Sequence, residues 1–449
     1  MALKETLFSK TPHFLQDPLI TLFNTYQYKI RHGGVYRKYR KYYAAADNLN
    51  QDELTKEIES KKSQFFNYVK THSSWYKNYN FNDFSSLPIL EKKDLINNLN
   101  KIKTIEESQG LVNLTSGTTG SSLKTIYTKS DMQERFAILD HFKSKHGFKI
   151  GKKTAWFSGK NLITDEHIAR GICSHYDFFN KFRFYSTFHI NKKNFNIYWR
   201  SLNQFQPEFI VGFPSSVYEI CKVADSQGLK LENSVKVFFT TSETVLPEHK
   251  DVIGRVLGCK LVDQYASSEG APFIYECENG NMHIHPLTGI FEVVDSNMKP
   301  SNEGEIIVTS FTTFGTPLIR YRIGDRIQLA DENKKCECGS LFPIVDKIDG
   351  RTKDFIYSPE KGVINLVNIG NSSKGLKGIV CFQVIQDTHT EITVKLVVTS
   401  GFDSQVENKF INAIRERVGK ELTINIEYVD DIPREKSGKF RIVKNNLDY

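Results

Sequence analysis

The sequence predicts an α/β fold: a large N-terminal domain with parallel sheets and an antiparallel barrel-like subdomain, plus a small α+β C-terminal domain. Three observations predict it. Residues 129–265 alternate strand-like and helix-like runs, residues 271–349 break into short strands separated by Gly and Asn, and residues 351–449 pair two apolar strands with one amphipathic helix. A chain of 449 residues suits two or three domains, and 39% hydrophobic content suffices for a sizeable core.

Residues 1–109 form a helical region of the large domain. Helical spacing runs through Pro18 to Tyr28 and through Glu53 to Thr71, which sets Leu54, Ile58, Phe65 and Val69 near one face. Pro88-Ile-Leu-Glu-Lys-Lys93 starts a short helix ending near Leu99. The core, residues 110–350, continues with a helix from Asp131 to Lys145, whose inward face the spacing assigns to Met132, Phe136, Leu139 and Phe142. Strands follow at Lys153 to Phe157 and Phe182 to Phe188, then a helix from Asn194 to Phe205. Phe209-Ile-Val-Gly212, Val235 to Thr240 and Lys260 to Tyr265 read as strands, interleaved with helices from Ser215 to Gln227 and Leu246 to Leu257. Such alternation implies a parallel sheet, and ligands of parallel sheets lie at the strands' carboxyl ends. Phe213 to Ser215, Thr241 to Glu243 and Tyr265 to Glu269 fall there.

The antiparallel subdomain, residues 271–349, is read from Met282 to His285, Gly289 to Val294, Gly304 to Ser310 and Ile327 to Leu329. The C-terminal domain, residues 351–449, is read from strands at Ile379 to Ile385, Ile392 to Val398 and Thr423 to Tyr428, with a helix from Ser404 to Val418. The loop Ile432 to Lys439 is polar and lacks apolar periodicity, which suits an arm entering a site.

The formal charge of +8 is a mild excess over 52 acidic residues, so solubility accounts for it as well as nucleic acid does. The densest basic run, Lys29 to Lys41, interleaves Arg31, Arg37, Lys38, Arg40 and Lys41 with tyrosines, and reads as a solvated helix face that an anionic surface would also suit. No nucleic-acid fold motif accompanies it. No apolar run reaches the roughly 18 residues of a membrane span, and no basic-then-apolar leader opens the chain. Seven scattered cysteines fit a reducing compartment, so the expected location is the cytoplasm.

Thr115 to Ser122 is a loop between two strands, at Leu111 to Leu114 and Thr125 to Tyr127. Gly117 and Gly120 let successive amides face one concavity, and Thr115, Ser116, Thr118, Thr119 and Ser121 add hydroxyls, which suits a polyphosphate. It is not a Walker A loop, since no Gly-Lys-Ser/Thr follows.

Thr115-Ser-Gly-Thr-Thr-Gly120 resembles the phosphate-binding motif of adenylate-forming enzymes, the superfamily of acyl-CoA synthetases, adenylation domains and luciferases. Four further matches follow in family order: Tyr265-Ala-Ser-Ser-Glu269, Tyr321-Arg-Ile-Gly-Asp325, Gly350-Arg-Thr-Lys-Asp354 and Ser437-Gly-Lys439. Gly212-Phe-Pro-Ser-Ser216 and Pro88 to Lys93 resemble the phenylacetate-CoA ligase-like branch that includes CapK-type capsule proteins. Ser122, Ala266 and Ile323 depart from the usual Pro, Gly and Thr.

The resemblance implies that a carboxylic acid and ATP give an acyl-adenylate, whose acyl group passes to coenzyme A, a carrier-protein thiol or an amine. It implies Mg²⁺ on Glu269, a hydroxyl from Ser268 at the α-phosphate, adenine along Thr241-Ser242-Glu243 beside Tyr265, and ribose at Asp325 with Arg351 nearby. It makes Lys439 the adenylation lysine and Lys353 the hinge of a swinging C-terminal domain. Trp156, Phe157 and Phe213 are candidates for the acyl pocket. Cys336-Glu-Cys338-Gly339 with Cys277 and His283 matches a closed structural Zn²⁺ site, similar to one in the same branch, with His285 as an alternative ligand. A capsular-polysaccharide pathway follows from the CapK-like resemblance. The alternative is a non-catalytic relative that binds nucleotide or acyl-adenylate.

Overall fold

Between Thr154 and Val262, short runs rich in Phe, Val and Ile become the strands of one six-stranded sheet. The computed structural model describes residues 11–115, 123–159, 162–233, 235–351, 355–360, 362–365, 369, 371–373, 376, 378–399, 401–435 and 440–447. The chain divides into two compact units. Met1–Leu22, Ile150–Val262 and Asp349–Tyr449 form the first, and Phe23–Lys149 with Asp263–Ile348 the second.

In the first unit the sheet runs in the order Ser174–Asp177, Phe182–Ser186, Thr154–Ser158, Phe209–Gly212, Val237–Thr240, Lys260–Val262. Its pairs are parallel except for the outermost, Ser174–Asp177 on Phe182–Ser186. Helices Phe195–Phe205 and Pro247–Leu257 bury one face each and Pro214–Ser226 is buried nearly all round, with Tyr198, Leu202, Val217, Ile220, Val252 and Ile253 in a common core with the strands. Proline at the first position starts the latter two, because its missing N–H is one the helix leaves unpaired anyway. The parallel core expected from the alternation is therefore present, with one antiparallel edge strand that its polar sequence concealed.

The same unit holds a four-stranded sheet in the order Thr423–Tyr428, Glu391–Val398, Ile379–Gln386, Val443–Asn445, antiparallel in the middle and parallel at both outer pairs. Helix Ser404–Val418, capped by the Asp403 carboxylate on the Val406 amide, packs Phe410, Ile414 and Val418 onto it. This is the small α+β domain.

The second unit carries a seven-stranded sheet in the order Gly289–Val294, Glu303–Ser310, Tyr321–Leu329, Ile344–Arg351, Met282–Ile284, Ile274–Glu276, Gln264–Tyr265. Helix Gln51–His72, started by an Asn50–Glu53 capping box, buries Phe65 and Val69 in a core with Ile274, Ile306 and Phe311. The strands Leu111–Thr115 and Leu123–Tyr127 pair antiparallel around residues 116–122.

Two expectations are corrected. The strand expected at Lys260 to Tyr265 breaks at Asp263: Lys260–Val262 ends the parallel sheet, while Gln264–Tyr265 pairs antiparallel with Ile274–Glu276. Tyr265 to Glu269 thus leaves an antiparallel strand. Helix Lys129–Lys145 buries Asp131, Gln133, Glu134 and Arg135 with Ala137, Ile138 and Phe142, whereas Met132, Phe136 and Leu139 are half-buried. Its charges face inward because each has a partner there. Among the described residues no helix is long and apolar enough to cross a membrane.

Candidate active site and metal centre

Tyr265 stands at the end of its strand and donates its hydroxyl to Asp325 Oδ2 at 2.7 Å. Asp325 lies in a β-bulge. Arg326 pairs with Glu305 and Arg322 with Ile307, so Ile323, Gly324 and Asp325 oppose Ile306 alone, and Gly324 takes φ +83°. Bulges re-aim side chains at the rim of a sheet, which is how the motif Tyr321-Arg-Ile-Gly-Asp325 turns its carboxylate toward Tyr265.

The turn after Tyr265 is fixed through its backbone. Ser267 Oγ accepts from the amides of Gly270 and Ala271 at 3.2 and 3.0 Å. The Ser268 carbonyl accepts from Asn113 Nδ2 at 2.7 Å and from the Tyr127 hydroxyl at 2.8 Å, so both strands flanking residues 116–122 are tied to it. Buried Arg135 closes the other side. One guanidinium nitrogen donates to Gly270 O and Ala271 O at 3.1 Å and to Thr312 Oγ1 at 2.8 Å, the other to Ser267 O at 3.4 Å, and the group sits 4.7 Å from the Phe273 ring centre. Gly270 is required: at φ +112° a Cβ there would lie 2.3 Å from Thr313 Cγ2.

This anchoring leaves Ser268 exposed and Glu269 half-buried at the tip of a turn whose backbone is already paired. The Glu269 charge is close enough to help raise the Tyr127 phenol, which burial chiefly pushes up to about 12 against the opposing pull of Arg135. Asp131 is likewise raised to about 6 by burial, although its carboxylate accepts from the amides of Thr128 and Gly315 at 2.8 and 2.9 Å. Arg135 and its partners were not singled out by sequence reasoning.

In the first unit, Ser242 and Glu243 follow strand Val237–Thr240. Ser242 is exposed with φ +68°, a conformation non-glycine residues adopt seldom and mostly at functional turns. Glu243 accepts from the Ser215 amide at 3.1 Å through one oxygen and from the Phe440 amide at 3.0 Å through the other. Burial raises its pKa. The carboxylate therefore joins the first turn of helix Pro214–Ser226 to the chain's closing segment. Arg434 adds a second link, donating to Glu219 at 2.9 Å and to Ser215 Oγ at 3.3 Å. Phe157 is fully buried and stacked on Tyr185, which makes it core; Trp156 is half-buried beside Phe182 and Phe184, and Phe213 is the buried cap residue of helix Pro214–Ser226.

Ser116, Gly117, Thr118, Thr119, Gly120, Lys353 and Lys439 lie outside the described residues, as do the side chains of Thr115 and Arg351.

The second unit also brings Cys277, His283, Cys336 and Cys338 together, with all four ligand atoms within 4.8 Å of one another. Cys277 Sγ is 3.6 Å from Cys336 Sγ, and Cys338 Sγ 3.5 Å from His283 Nε2. His283 Nδ1 donates to the Phe342 carbonyl at 2.9 Å, which fixes the tautomer and directs Nε2 at the sulfurs. Asn281 Nδ2 and the Cys338 amide both donate to Cys336 Sγ, as suits a thiolate. His285 is not of this group: it packs among Tyr43, Tyr275 and Phe342.

Residues 356–446 match the family described as the CapK C-terminal domain. The chain is 28% identical over 463 residues to protein CapK of Staphylococcus aureus, covering 98% of this chain and 99% of that protein. It is 24% identical over 271 residues to the indoleacetate–lysine synthetase of Pseudomonas savastanoi, covering 58% of this chain and 64% of that protein. The solved 2-hydroxyisobutyryl-CoA ligase in its postadenylation state with 2-HIB-AMP superposes with a TM-score of 0.72 at 18% identity, over 89% of this chain and 91% of that one. The chain is thus homologous to CapK, indoleacetate–lysine synthetase and phenylacetate-coenzyme A ligase, and it shares the fold of the 2-hydroxyisobutyryl-CoA ligase.

Proposed function

We propose that this protein activates a carboxylic acid with ATP as an acyl-adenylate, releasing pyrophosphate, and then passes the acyl group to a thiol, of coenzyme A or a carrier protein, or to an amine. The observation that carries the reading is the turn Ser267–Ala271, held by Arg135, Tyr127 and Asn113 so that Ser268 and Glu269 face outward without further reorganisation. A hydroxyl and a carboxylate held this way suit an α-phosphate and its counter-ion. Magnesium bound at Glu269 would neutralise phosphate charge during attack. The paired Tyr265 and Asp325 would receive the ribose hydroxyls, with Arg351 nearby, residues 115–120 the phosphates, and the segment at Ser242 the base. Lys439 would bridge the acid and the α-phosphate. The small domain would swing about Lys353 between the two half-reactions, and Trp156 and Phe213 would border the acid.

Zinc is proposed for Cys277, His283, Cys336 and Cys338. The donor set fits: three sulfurs and one imidazole nitrogen within a tetrahedron's span, with the histidine oriented by a carbonyl. Four protein ligands leave no open position, so zinc would stabilise the fold and take no part in the reaction. A place in capsular-polysaccharide synthesis and a cytoplasmic location are part of the proposal, the first supported by the likeness to CapK over 98% of the chain. The reading is tested by pyrophosphate release from ATP over a panel of aryl, aliphatic, amino and uronic acids, with coenzyme A or amines present or absent. Release that depends on one class of acid is expected; release indifferent to every acid would refute it.

A further inference from the structure

The polar ties around Ser215 gather the two ends of one short loop. Arg434 donates to Glu219 at 2.9 Å and to Ser215 Oγ at 3.3 Å. The Phe440 amide donates to Glu243 at 3.0 Å, and the other Glu243 oxygen accepts from the Ser215 amide at 3.1 Å. The two ends also meet each other. The Arg434 guanidinium lies 5.6 Å from the centre of the Phe440 ring, and Arg441 Nε is 3.4 Å from Glu435 Oε1. Residues 434–441 therefore form a closed loop whose base stands on the first two turns of helix Pro214–Ser226. Ile432, just before the loop, is buried in the same core as that helix. The four residues between these ties, 436–439, lie outside the described residues and include Lys439.

Adhesion alone does not call for this chemistry. The Arg434 and Glu219 side chains are only 4% and 7% exposed, and a buried ion pair adds little stability over well-packed apolar residues of the same size. Ile432 already supplies the apolar contact. What the ion pair and the bridging carboxylate add is direction, because each hydrogen bond is tied to one geometry at both ends. Both oxygens of Glu243 are engaged with backbone amides of this joint, while its neighbour Ser242 is exposed. An amide N–H shares one planar peptide unit with the Cα of the residue before it. A carboxylate bonded to the Phe440 amide therefore orients the peptide that joins Phe440 to Lys439.

We propose, resting on the acyl-adenylate reading with Lys439 as its lysine, that Glu243, Arg434 and Glu219 are positioning residues for that lysine. Glu243 orients the Lys439–Phe440 peptide, and the Arg434–Glu219 pair fixes the other end of the loop. The Glu243 carboxylate thus serves the loop and not the nucleotide base. Its loss acts on the chemical step through Lys439 and leaves ATP binding as it was.

The test is a double-mutant cycle on the full-length protein, read as pyrophosphate release from ATP with the panel acid that wild type uses fastest. Glu243→Ala should lower kcat at least about tenfold, since misplacing a reacting group by an ångström costs up to about a hundredfold. Arg434→Lys should lower it less, because lysine keeps the charge but not the fork. KM for ATP and the melting temperature should stay as in wild type, and Glu243→Gln, which keeps one acceptor, should recover part of the rate. In a Lys439→Ala background Glu243→Ala should change the residual rate by less than about twofold, because nothing is left to position. Hydrogen exchange at the Phe440 amide should quicken at least about tenfold in Glu243→Ala. Equal losses with and without Lys439, a raised KM for ATP at unchanged kcat, or unchanged exchange at Phe440 would each overturn the proposal. Wild-type release in Lys439→Ala would overturn it too, by removing the lysine, while leaving the acyl-adenylate reading in place. Wild type that releases pyrophosphate with no acid refutes that reading and the positioning together.

Discussion

Replacing Arg135 with Met probes the hidden half of the site. Methionine keeps the unbranched stem but removes donors from Gly270 O, Ala271 O, Ser267 O and Thr312 Oγ1. A buried acceptor left unpaired costs about 1–3 kcal/mol, and hydrogen bonds from a charged donor sit at the upper end. Four such losses do not add, because Ser267 is half-buried and water can reach its carbonyl, and because burying methionine costs less than burying a guanidinium. A local loss of about 3 kcal/mol is the balance, which is about a hundredfold in the opening equilibrium of the turn. Hydrogen exchange reads it directly, since the Gly270 and Ala271 amides are bonded to Ser267 Oγ within that turn. Those two amides should exchange about a hundredfold faster in Arg135→Met, with helix Gln51–His72 unaffected. Arg135→Lys should recover part of the protection, because an ammonium is a point charge without the fork. Exchange within twofold of wild type at both amides would refute the anchoring argument.

Glu269→Gln, at a half-buried turn tip, should reduce acid-dependent pyrophosphate release by at least about a hundredfold at unchanged melting temperature, as expected for loss of a group that stabilises shifting charge; wild-type release in that variant removes the assigned role. Elemental analysis should find about one zinc per purified chain, and Cys336→Ser should lose it and melt earlier; metal-free wild type of full stability contradicts the zinc site. Burial holds His249 down to about 3, against about 6.5 when unfolded, so the stability it confers is complete above pH 6.5 and is lost as pH falls toward 3. The slope is at most about 1.4 kcal/mol per pH unit. His249→Gln keeps an acceptor for the Leu246 amide and should flatten the melting curve between pH 6.5 and 4.5; an unchanged slope would show the ring charged or exposed.

The parallel sheet was legible because its strands are short apolar runs set between amphipathic helices, a pattern that periodicity reads well. Helix Lys129–Lys145 was legible as a helix but not as a surface. Periodicity assumes charges point to water, whereas Asp131 caps backbone amides, Glu134 receives the Tyr43 hydroxyl and the Lys61 ammonium, and Arg135 holds carbonyls. Backbone carbonyls are the same in every residue, so the targets of Arg135 leave no trace in sequence. The break at Asp263 was equally hidden, since one polar residue between two apolar pairs reads as an ordinary strand interior. The Gly324-Asp325 pair announces a departure from regular strand, but the bulge and its tie to Tyr265 need the register of the opposite strand. That Cys277, His283, Cys336 and Cys338 come together was legible because Cys and His are scarce and their spacing is informative; the orientation of His283 by Phe342 O was not. Glu243 was read by resemblance as lying along a base, and its bonds to the Ser215 and Phe440 amides were not legible, because they join segments far apart in the chain.

The central claim, that ATP is split between its α- and β-phosphates by a carboxylic acid, is tested most directly by the fate of the nucleotide. The full-length protein is incubated with Mg²⁺, α-labelled ATP and the acid panel, and products are resolved by chromatography and mass spectrometry. An acyl-AMP mixed anhydride or AMP, formed with pyrophosphate in equal amount and only with a particular class of acid, is the predicted result. Acid-dependent formation of ADP and phosphate, or binding of ATP without AMP from any acid on the panel, would contradict it.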